Sequence, residues 1–360
     1  MRSEPRHGDV HARFDAILER YVAKAPQLQV WADGPGINEY QYPPGSPDQP
    51  FHAASVGKLF TAALLFQLIG EGRLRLSDKV VDILPSETCR GLFLHKGRDL
   101  SDQVTVRHLM MHSSGLADHF LDRPRKGPKF VRMVLDEPDR MWTPQGILRF
   151  YRENYTLRHP PGEGFHYSDT GFILLGLVIE ACDGRAFHES LQERVLKPLG
   201  MRRTHLMFYS RPQEESPMSR LFFNGIDATE FPSLSADWAG GGMVCSPRDL
   251  ATFTRAFFEG RLFPPEILSE NSSFPNVFRR GIHYGTSMME LHMEGFMPTL
   301  KGYPRLRGHL GILAAHAWYD PGTGRVFVLG FGHNRAMGRS FRSLIRMLAV
   351  LKAEDAGGRP

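Results

Sequence analysis

Two residues near the start of the chain have the types and the spacing of a nucleophile and the group that activates it. Ser55 and Lys58 form the only S-x-x-K of the chain and open an apolar segment that ends near Gly70. Positions i and i+3 lie on one face of a helix, so the hydroxyl and the amine can approach each other. A buried amine loses solvation, its neutral form becomes accessible, and it can take the serine proton. The alternative, a capping serine before a surface lysine, fits poorly with the apolar run after Lys58.

Two later segments could supply a proton relay and a second backbone donor. Tyr167 lies on a loop, in the sequence His-Tyr-Ser-Asp, directly before an apolar segment, and a tyrosine there can relay protons beside a cation. His309 and Gly311 lie at the start of a late strand, where glycines often mark the close approach of a ligand or another backbone. The N–H of Ile312 could donate to a substrate carbonyl at that edge. Taken singly, a packing tyrosine and a bend in a sheet explain these segments equally well.

The pattern around these residues predicts strands at both ends of the chain and helices between them. Strands are predicted at 28–31, 39–42, 284–289, 308–319 and 325–332, and helices at the N-terminus and at 59–69, 104–111, 144–151, 171–182, 187–199, 247–258 and 339–351. A sheet completed by both ends implies a discontinuous α/β domain of residues 1–76 and 236–360. Residues 77–235 are predicted to form a mostly helical inserted domain, with the active site in the cleft between the two.

The composition indicates a globular enzyme and excludes several other classes. The chain is 41% hydrophobic and 23% charged, and its formal net charge of +5 is spread along the sequence without a nucleic-acid patch. It has 16 histidines but no H-E-x-x-H, three cysteines but no C-x-x-C, and neither a G-x-S-x-G elbow nor a nucleotide-binding glycine motif. The longest apolar run, 172–179, is too short to cross a bilayer. We expect a cytoplasmic protein without metal, cofactor, membrane or nucleic-acid partner.

The three segments, in this order, resemble the serine β-lactamase and penicillin-recognising superfamily. The branch that they resemble most contains class C β-lactamases, D-peptidases and family VIII esterases. The resemblance extends from about residue 51 to about residue 333 and includes the connecting stretches LMMHSSGL (109–116), KPLGM (197–201) and AGGGM (239–243). It implies a β-lactamase/transpeptidase-like fold of the α/β (α+β) class, in which an antiparallel sheet is flanked by helices.

The resemblance also implies a role for each motif residue. Ser55 is the nucleophile, Lys58 the base or its electrostatic partner, and Tyr167 the base in acylation and the relay to the leaving group. The N–H groups of Ser55 and Ile312 form the oxyanion hole. The substrate-binding positions are then Asp169, His309 and Gly311.

Two of these positions depart from the superfamily pattern. Asp169 stands where the branch often has Asn, and a carboxylate lacks the two donors of an amide. His309 stands where lactamases have Lys, which weakens a fixed positive charge for a substrate carboxylate. We therefore expect an esterase or amidase that acts on a small acyl substrate, and not an efficient β-lactamase.

Two other functions stay open on the sequence alone. An acyltransferase or cyclase of small-molecule biosynthesis would use the same acyl-enzyme, because the choice between water and another acceptor depends on how the pocket excludes water. A non-catalytic binding or sensor protein would keep the fold but be expected to lose the serine, lysine or tyrosine, and this chain has all three.

Overall fold

The structure is a computed structural model that describes residues 7–45 and 48–357. The helices are α1 His7–Val22, α2 Lys58–Gly70, α3 Val80–Ile83, α4 Ser86–Cys89, α5 Val106–Met110, α6 Phe130–Asp136, α7 Pro144–Asn154, α8 Asp169–Asp183, α9 Phe187–Leu191, α10 Trp238–Gly241, α11 Pro247–Phe258, α12 Pro265–Glu270, α13 Met293–Phe296 and α14 Met337–Gly357. The strands are β1 Gln29–Gly34, β2 Asn38–Tyr42, β3 Phe51–His52, β4 Leu94–His95, β5 Arg98–Asp99, β6 His205–Leu206, β7 Phe222–Phe223, β8 Ile226–Asp227, β9 Met243–Cys245, β10 Asn276–Arg279, β11 Ile282–Tyr284, β12 Met289–Leu291, β13 Arg307–Gly311, β14 Ala315–Tyr319 and β15 Val326–Gly330.

An antiparallel sheet joins the two ends of the chain. Within the described residues its eight strands follow the order β10-β11-β12-β13-β14-β15-β1-β2. Val30 pairs with Leu329 and Trp31 with Val328. Successive side chains of a strand point to opposite faces, so Val30 and Leu329 pack toward α1 and α14, whereas Trp31 and Val328 belong to the core that contains α2, α8 and α11. The predicted antiparallel sheet flanked by helices is confirmed.

The helix that follows Ser55 is buried on nearly all sides. Every residue of α2 from Lys58 to Phe66 is buried, because the helix contacts α8, α10 and α12 and lies near β13. The ring of Phe60 stacks on that of Phe253, with 3.7 Å between the centroids. A helix without a polar face requires such surroundings, and the predicted buried helix is confirmed.

Two predicted strands are wrong because each hides a tight turn. The segment 284–289 is the hairpin between β11 and β12, with Ser287 at φ +58° and the N–H of Gly285 bonded to the oxygen of Met288 at 2.9 Å. The segment 308–319 is two strands, β13 and β14, joined by a turn in which Ala314 has φ +57°. These turns have apolar or small residues in place of the usual Asn-Gly or Asp-Gly, so the sequence at these two positions does not indicate a turn.

Candidate active site

Ser55 lies on a 3₁₀ turn, Ala54–Gly57, that leads directly into α2. Ala54 takes φ +48°, and its N–H donates to Nδ1 of His52 at 3.1 Å. This left-handed conformation is uncommon for a residue with a side chain and is typical of functional sites. Ser55 therefore precedes the helix that the sequence predicted it to open, and Lys58 is the first residue of α2.

Three glycines allow other parts of the fold to approach the Ser55 turn. A Cβ on Gly311 would lie 2.6 Å from the oxygen of Ala53 and 3.2 Å from the nitrogen of Ser55. One on Gly241 would lie 3.0 Å from the oxygen of Ala54, and one on Gly57 would lie 3.0 Å from the Cα of Gly241. Real Cβ atoms do not make a contact as short as that of Gly311 and seldom make contacts as tight as those of Gly241 and Gly57, so glycine at these positions lets β13 and α10 approach the turn closely.

Lys58 is fully buried and has three polar neighbours. Its Nζ lies 3.3 Å from Oγ of Ser55, 2.6 Å from the carbonyl oxygen of Gly240 and 2.5 Å from Oδ1 of Asp169. The distance to Ser55 agrees with the reach that the S-x-x-K spacing predicts. The pairing of Lys58 with a carboxylate was not predicted, because Asp169 was expected only to bind substrate.

Tyr167 completes the group around the Ser55 hydroxyl. Its hydroxyl group is hydrogen-bonded to the Ser55 side chain, and its ring centroid lies 5.2 Å from Nζ of Lys58. Burial, and then the charge of Asp169, raise the pKa of Tyr167 well above its ordinary value. The phenol is therefore neutral at physiological pH and has a proton to give.

The predicted residues on β13 and directly after it lie at different depths. Ile312 lines the same cleft as Ser55, and Gly311 packs against the Ser55 turn. His309 is fully buried and is not part of the cleft wall. Its Nδ1 donates to the oxygen of Leu310 at 2.8 Å, and burial, followed by the charge of Lys58, lowers the pKa of His309 to about 3. The ring is therefore uncharged.

Four aspartates line the cleft beside Ser55, which we call the acidic cleft. The cavity has a volume of about 440 Å³ and includes the side chains of Asp118, Asp122, Asp169 and Asp237, with Arg279 at its wall. Its size is that of a small-molecule site. Asp118, Asp122 and Asp237 could not be predicted as site residues, because they come from two distant segments, 118–122 and 232–237, that share no motif and that only the fold brings together.

Two of these aspartates hold their protons to unusually high pH. Burial, and then the charge of Asp169, raise the pKa of Asp118 to about 8. The same two causes raise the pKa of Asp237 to about 7, against the opposing effect of Lys58. Asp237 has a side chain that is 21% exposed, and its Oδ2 lies 3.6 Å from Nε2 of His52. Perturbed carboxyl groups that share a cleft are typical of functional sites.

His119 adds a hydrogen-bond acceptor to the same wall. The Thr170 hydroxyl donates to the oxygen of Ala117 at 3.0 Å, so its oxygen accepts from Nδ1–H of His119, also at 3.0 Å. The remaining nitrogen, Nε2, then carries a lone pair and has no hydrogen-bond partner among the described residues. The residue lines the acidic cleft.

Other possible sites are weaker. A larger groove of about 1060 Å³ lies between β12, β13 and α14, and none of Ser55, Lys58 and Tyr167 lines it. Within residues 7–45 and 48–357 no three His, Cys, Asp or Glu side chains are grouped as metal ligands would be. In the same part of the chain no helix has the length and apolar character needed to cross a membrane.

An antiparallel sheet flanked by helices, with a serine, lysine and tyrosine at one cleft, defines the class of hydrolases with a β-lactamase fold. The chain belongs to the Beta-lactamase family, whose family model matches residues 14–342. The resemblance drawn from the sequence motifs is thereby confirmed.

Three known proteins illustrate the relationship. "Penicillin-binding protein 4" of Amycolatopsis lactamdurans is 25% identical over 355 residues, which is 94% of this chain and 81% of that protein. A D-stereospecific amidohydrolase from Streptomyces sp. superposes with a TM-score of 0.75 at 27% identity, covering 90% of this chain and 94% of the other. The D-amino acid amidase of Ochrobactrum anthropi SV3, crystallised with D-phenylalanine, gives 0.76 at 25% identity and covers 96% and 99%. Two further curated relatives are matched over only 30% and 50% of their lengths.

Proposed function

We propose that the protein is a serine hydrolase that forms an acyl-enzyme at Ser55 and cleaves a small amide or ester whose acyl part carries a protonated amine. The observation that carries the proposal is the approach of Lys58 Nζ to Ser55 Oγ, 3.3 Å apart, at the edge of the acidic cleft. A hydroxyl beside a buried cation and a neutral phenol has the partners that an attacking serine needs.

The reaction follows from the protonation states of these groups. Oγ of Ser55 attacks the carbonyl carbon and passes its proton to the Tyr167 oxygen, while Tyr167 gives its own proton to the departing amine or alcohol. The Lys58 ammonium, held by Asp169 at 2.5 Å, stabilises the negative charge that develops between them. The N–H groups of Ser55 and Ile312 receive the carbonyl oxygen. Water then cleaves the ester bond to Ser55.

The charge of the cleft supports an amine-bearing substrate. Asp169 is paired with Lys58, but Asp237 has no lysine or arginine within ion-pair distance among the described residues, and its side chain is partly open to the cleft. A protonated amine would satisfy this carboxylate, while a substrate carboxylate would be repelled. One structural neighbour is a D-amino acid amidase crystallised with an amino acid, which is consistent with such a substrate.

Solvent access supports hydrolysis over transfer to another acceptor. The side chains of Asp169 and Asp237 are each 21% exposed, so water reaches the cleft floor. An enzyme that transfers its acyl group to an alcohol or amine must exclude water from the acyl-enzyme.

The nucleophile is tested by intact-protein mass spectrometry after exposure to a fluorophosphonate. We expect a single adduct on the wild-type protein and none on Ser55→Ala. A Ser101→Ala variant, which changes a serine outside the cleft, serves as the matched control and should label normally. Labelling of Ser55→Ala at the wild-type rate would disprove the assignment.

The substrate class is tested with phenylalanine amide, as both enantiomers, and with 3-phenylpropionamide, which lacks only the amine. We expect Asp237→Asn to raise KM for the cleaved amino acid amide at pH 8 by about tenfold or more, because it removes the charge that pairs with the ammonium. Cleavage of 3-phenylpropionamide should be weaker and insensitive to the substitution. Equal turnover of the two amides by the wild type would refute an amine site.

A further inference from the structure

His112 holds the segment that carries Tyr167 on both sides of that residue. Its carbonyl oxygen accepts the N–H of His166 at 2.9 Å, and its ring Nδ1 accepts the N–H of Ser168 at 3.1 Å. The His112 ring also packs against the Tyr167 ring, with 4.2 Å between the centroids. One buried residue thus fixes the main chain before and after Tyr167 and contacts its ring.

The main chain of His112 is itself in an uncommon conformation. Its φ of +54° lies in the left-handed region, which is uncommon for residues other than glycine. Such a conformation persists only where the surrounding structure determines it, and it is concentrated at functional sites. Here both of the hydrogen bonds described above go to the segment 166–168.

The other ring nitrogen of His112 is a buried donor. Because Nδ1 accepts a hydrogen bond from Ser168, the ring proton must be on Nε2. Burial, followed by the charge of Lys58, lowers the pKa of His112 well below its ordinary value, so the ring carries this one proton only. Nε2 has no hydrogen-bond partner among the residues that the structure describes.

Two neighbouring rings each present a complementary buried atom. Tyr284 lies 4.7 Å from His112 and 5.8 Å from His309 between ring centroids. The Tyr284 hydroxyl and Nε2 of His309 also lack a hydrogen-bond partner within the described part of the chain. Since Nδ1 of His309 donates to Leu310, its Nε2 is an acceptor. The adjacent buried rings therefore carry a donor on His112, an acceptor on His309 and, on Tyr284, a hydroxyl that can both donate and accept.

We propose that His112 is a positioning residue for Tyr167, and that Tyr284 and His309 hold its Nε2–H through a hydrogen-bonded chain closed by an internal water. Buried polar atoms in proteins are almost always hydrogen-bonded, and ordered water is the usual partner where side chains do not meet directly. The chain keeps the proton of His112 on Nε2, which leaves Nδ1 free to accept from Ser168. The proposal rests on the proposed function in taking Tyr167 as the proton-transfer group.

The first test is His112→Phe, which keeps a ring against Tyr167 but removes the Nδ1 acceptor and the Nε2 donor. The readout is the rate of fluorophosphonate labelling at Ser55, which requires no knowledge of the substrate. We expect a decrease of about 100-fold, the size of effect that a misplacement of 1 Å produces at a reacting centre. The same substitution in a Tyr167→Phe background should cause almost no further decrease, because His112 acts through Tyr167. Equal decreases in both backgrounds would overturn the proposal.

Two further variants separate positioning from a general loss of structure. His112→Asn should restore part of the rate, since asparagine tolerates the left-handed conformation and its amide oxygen can accept from Ser168. His316→Phe is the matched control: His316 is also fully buried, but its nitrogens bond to Ser340 and Trp318, away from the cleft. It should lower stability without slowing the labelling. A slower His316→Phe, or a His112→Asn no faster than His112→Phe, would count against positioning.

Tyr284→Phe tests the hydrogen-bonded chain without altering the packing of the ring. We expect a decrease in labelling of about tenfold, and a sub-additive effect when it is combined with His112→Phe, because both interrupt one chain. A high-resolution crystal structure should show a water bonded to Nε2 of His112 in the wild type and not in Tyr284→Phe. Direct hydrogen bonds among the three side chains would refute the proposed internal water. Fully additive effects of Tyr284→Phe and His112→Phe on the labelling rate would refute the proposed hydrogen-bonded chain. If the wild type does not label at all, the proposed function fails, and the position of Tyr167 in crystals of His112→Phe decides the positioning role.

Discussion

Lys58 is a fully buried cation, and its only counter-ion in the described structure is Asp169 at 2.5 Å. Removing one partner of a buried ion pair leaves the other charge uncompensated. We therefore expect Lys58→Met to lower the free energy of unfolding by about 3 kcal/mol. The double variant Lys58→Met, Asp169→Asn should recover a large part of this loss, although neither variant should label at Ser55 with the wild-type rate. Urea unfolding at neutral pH measures both effects.

A pair on the surface provides the control for this prediction. Lys197 and Glu193 lie 3.4 Å apart with side chains that are 65% and 48% exposed. Because solvent screens such a pair, Lys197→Met should change the stability by less than about 1 kcal/mol. If the double variant at the buried pair is no more stable than Lys58→Met, then the cost arises from lost packing and not from the unpaired carboxylate.

At the scale of elements, the site depends on how closely β13 approaches the Ser55 turn. A Cβ on Gly311 would lie 2.6 Å from the oxygen of Ala53 and 2.8 Å from Cβ of Ala54. We expect Gly311→Ala to push the turn away from β13 and to lower the labelling rate of Ser55 by about 100-fold, with the helical content unchanged. Gly338→Ala on α14 is the control. Its Cβ would meet only an arginine side chain at 3.7 Å, and labelling should not change.

The same elements explain which parts of the structure could be predicted from the sequence. The buried helix α2 is indicated by its unbroken apolar run, and α11 and α14 by amphipathic periodicity, so the residues of each helix are sufficient to predict it. The β13–β14 turn could not be predicted, because its residues are apolar and are fixed by contact with the Ser55 turn, far away in sequence. Asp237 is a similar case: nothing in the neighbouring sequence distinguishes it, and its pKa of about 7 arises from burial and from Asp169, which is the first residue of α8.

For the whole molecule, the acidic cleft contrasts with a chain of net charge +5. A cationic substrate is therefore repelled by the protein at long range and attracted only near the cleft. Long-range repulsion is screened by salt, whereas contact with Asp237 at close range is screened less. We expect kcat/KM for an amine-bearing amide to change by less than about threefold between 20 mM and 200 mM salt, measured at constant pH. A steep fall of kcat/KM with rising salt concentration would mean that long-range attraction of the substrate by the cleft outweighs its repulsion by the net charge.

The raised pKa of Asp237 also has a consequence for the stability of the whole protein. A carboxyl group whose pKa is higher in the folded state than in the unfolded state stabilises the fold below its unfolded pKa, and this contribution is lost as the pH rises through the folded pKa. The ordinary pKa of an aspartate side chain is 3.8, whereas the pKa of Asp237 in the folded protein is about 7. The charge of this residue therefore lowers stability progressively between about pH 4 and pH 7, and a neutral residue would not.

We expect Asp237→Asn to be more stable than the wild type at pH 8, by roughly 2 kcal/mol after allowance for the screening of a partly exposed group, and to lose this advantage near pH 4. Asp183→Asn should behave in the opposite way. Arg194 is the main cause that lowers the pKa of Asp183 to about 2, so that carboxylate stabilises the fold above about pH 4 and its removal should be costly at pH 8. Thermal unfolding at several pH values measures both variants. A stability difference between Asp237→Asn and the wild type that is the same at pH 4 and pH 8 would show that Asp237 does not retain its proton at neutral pH.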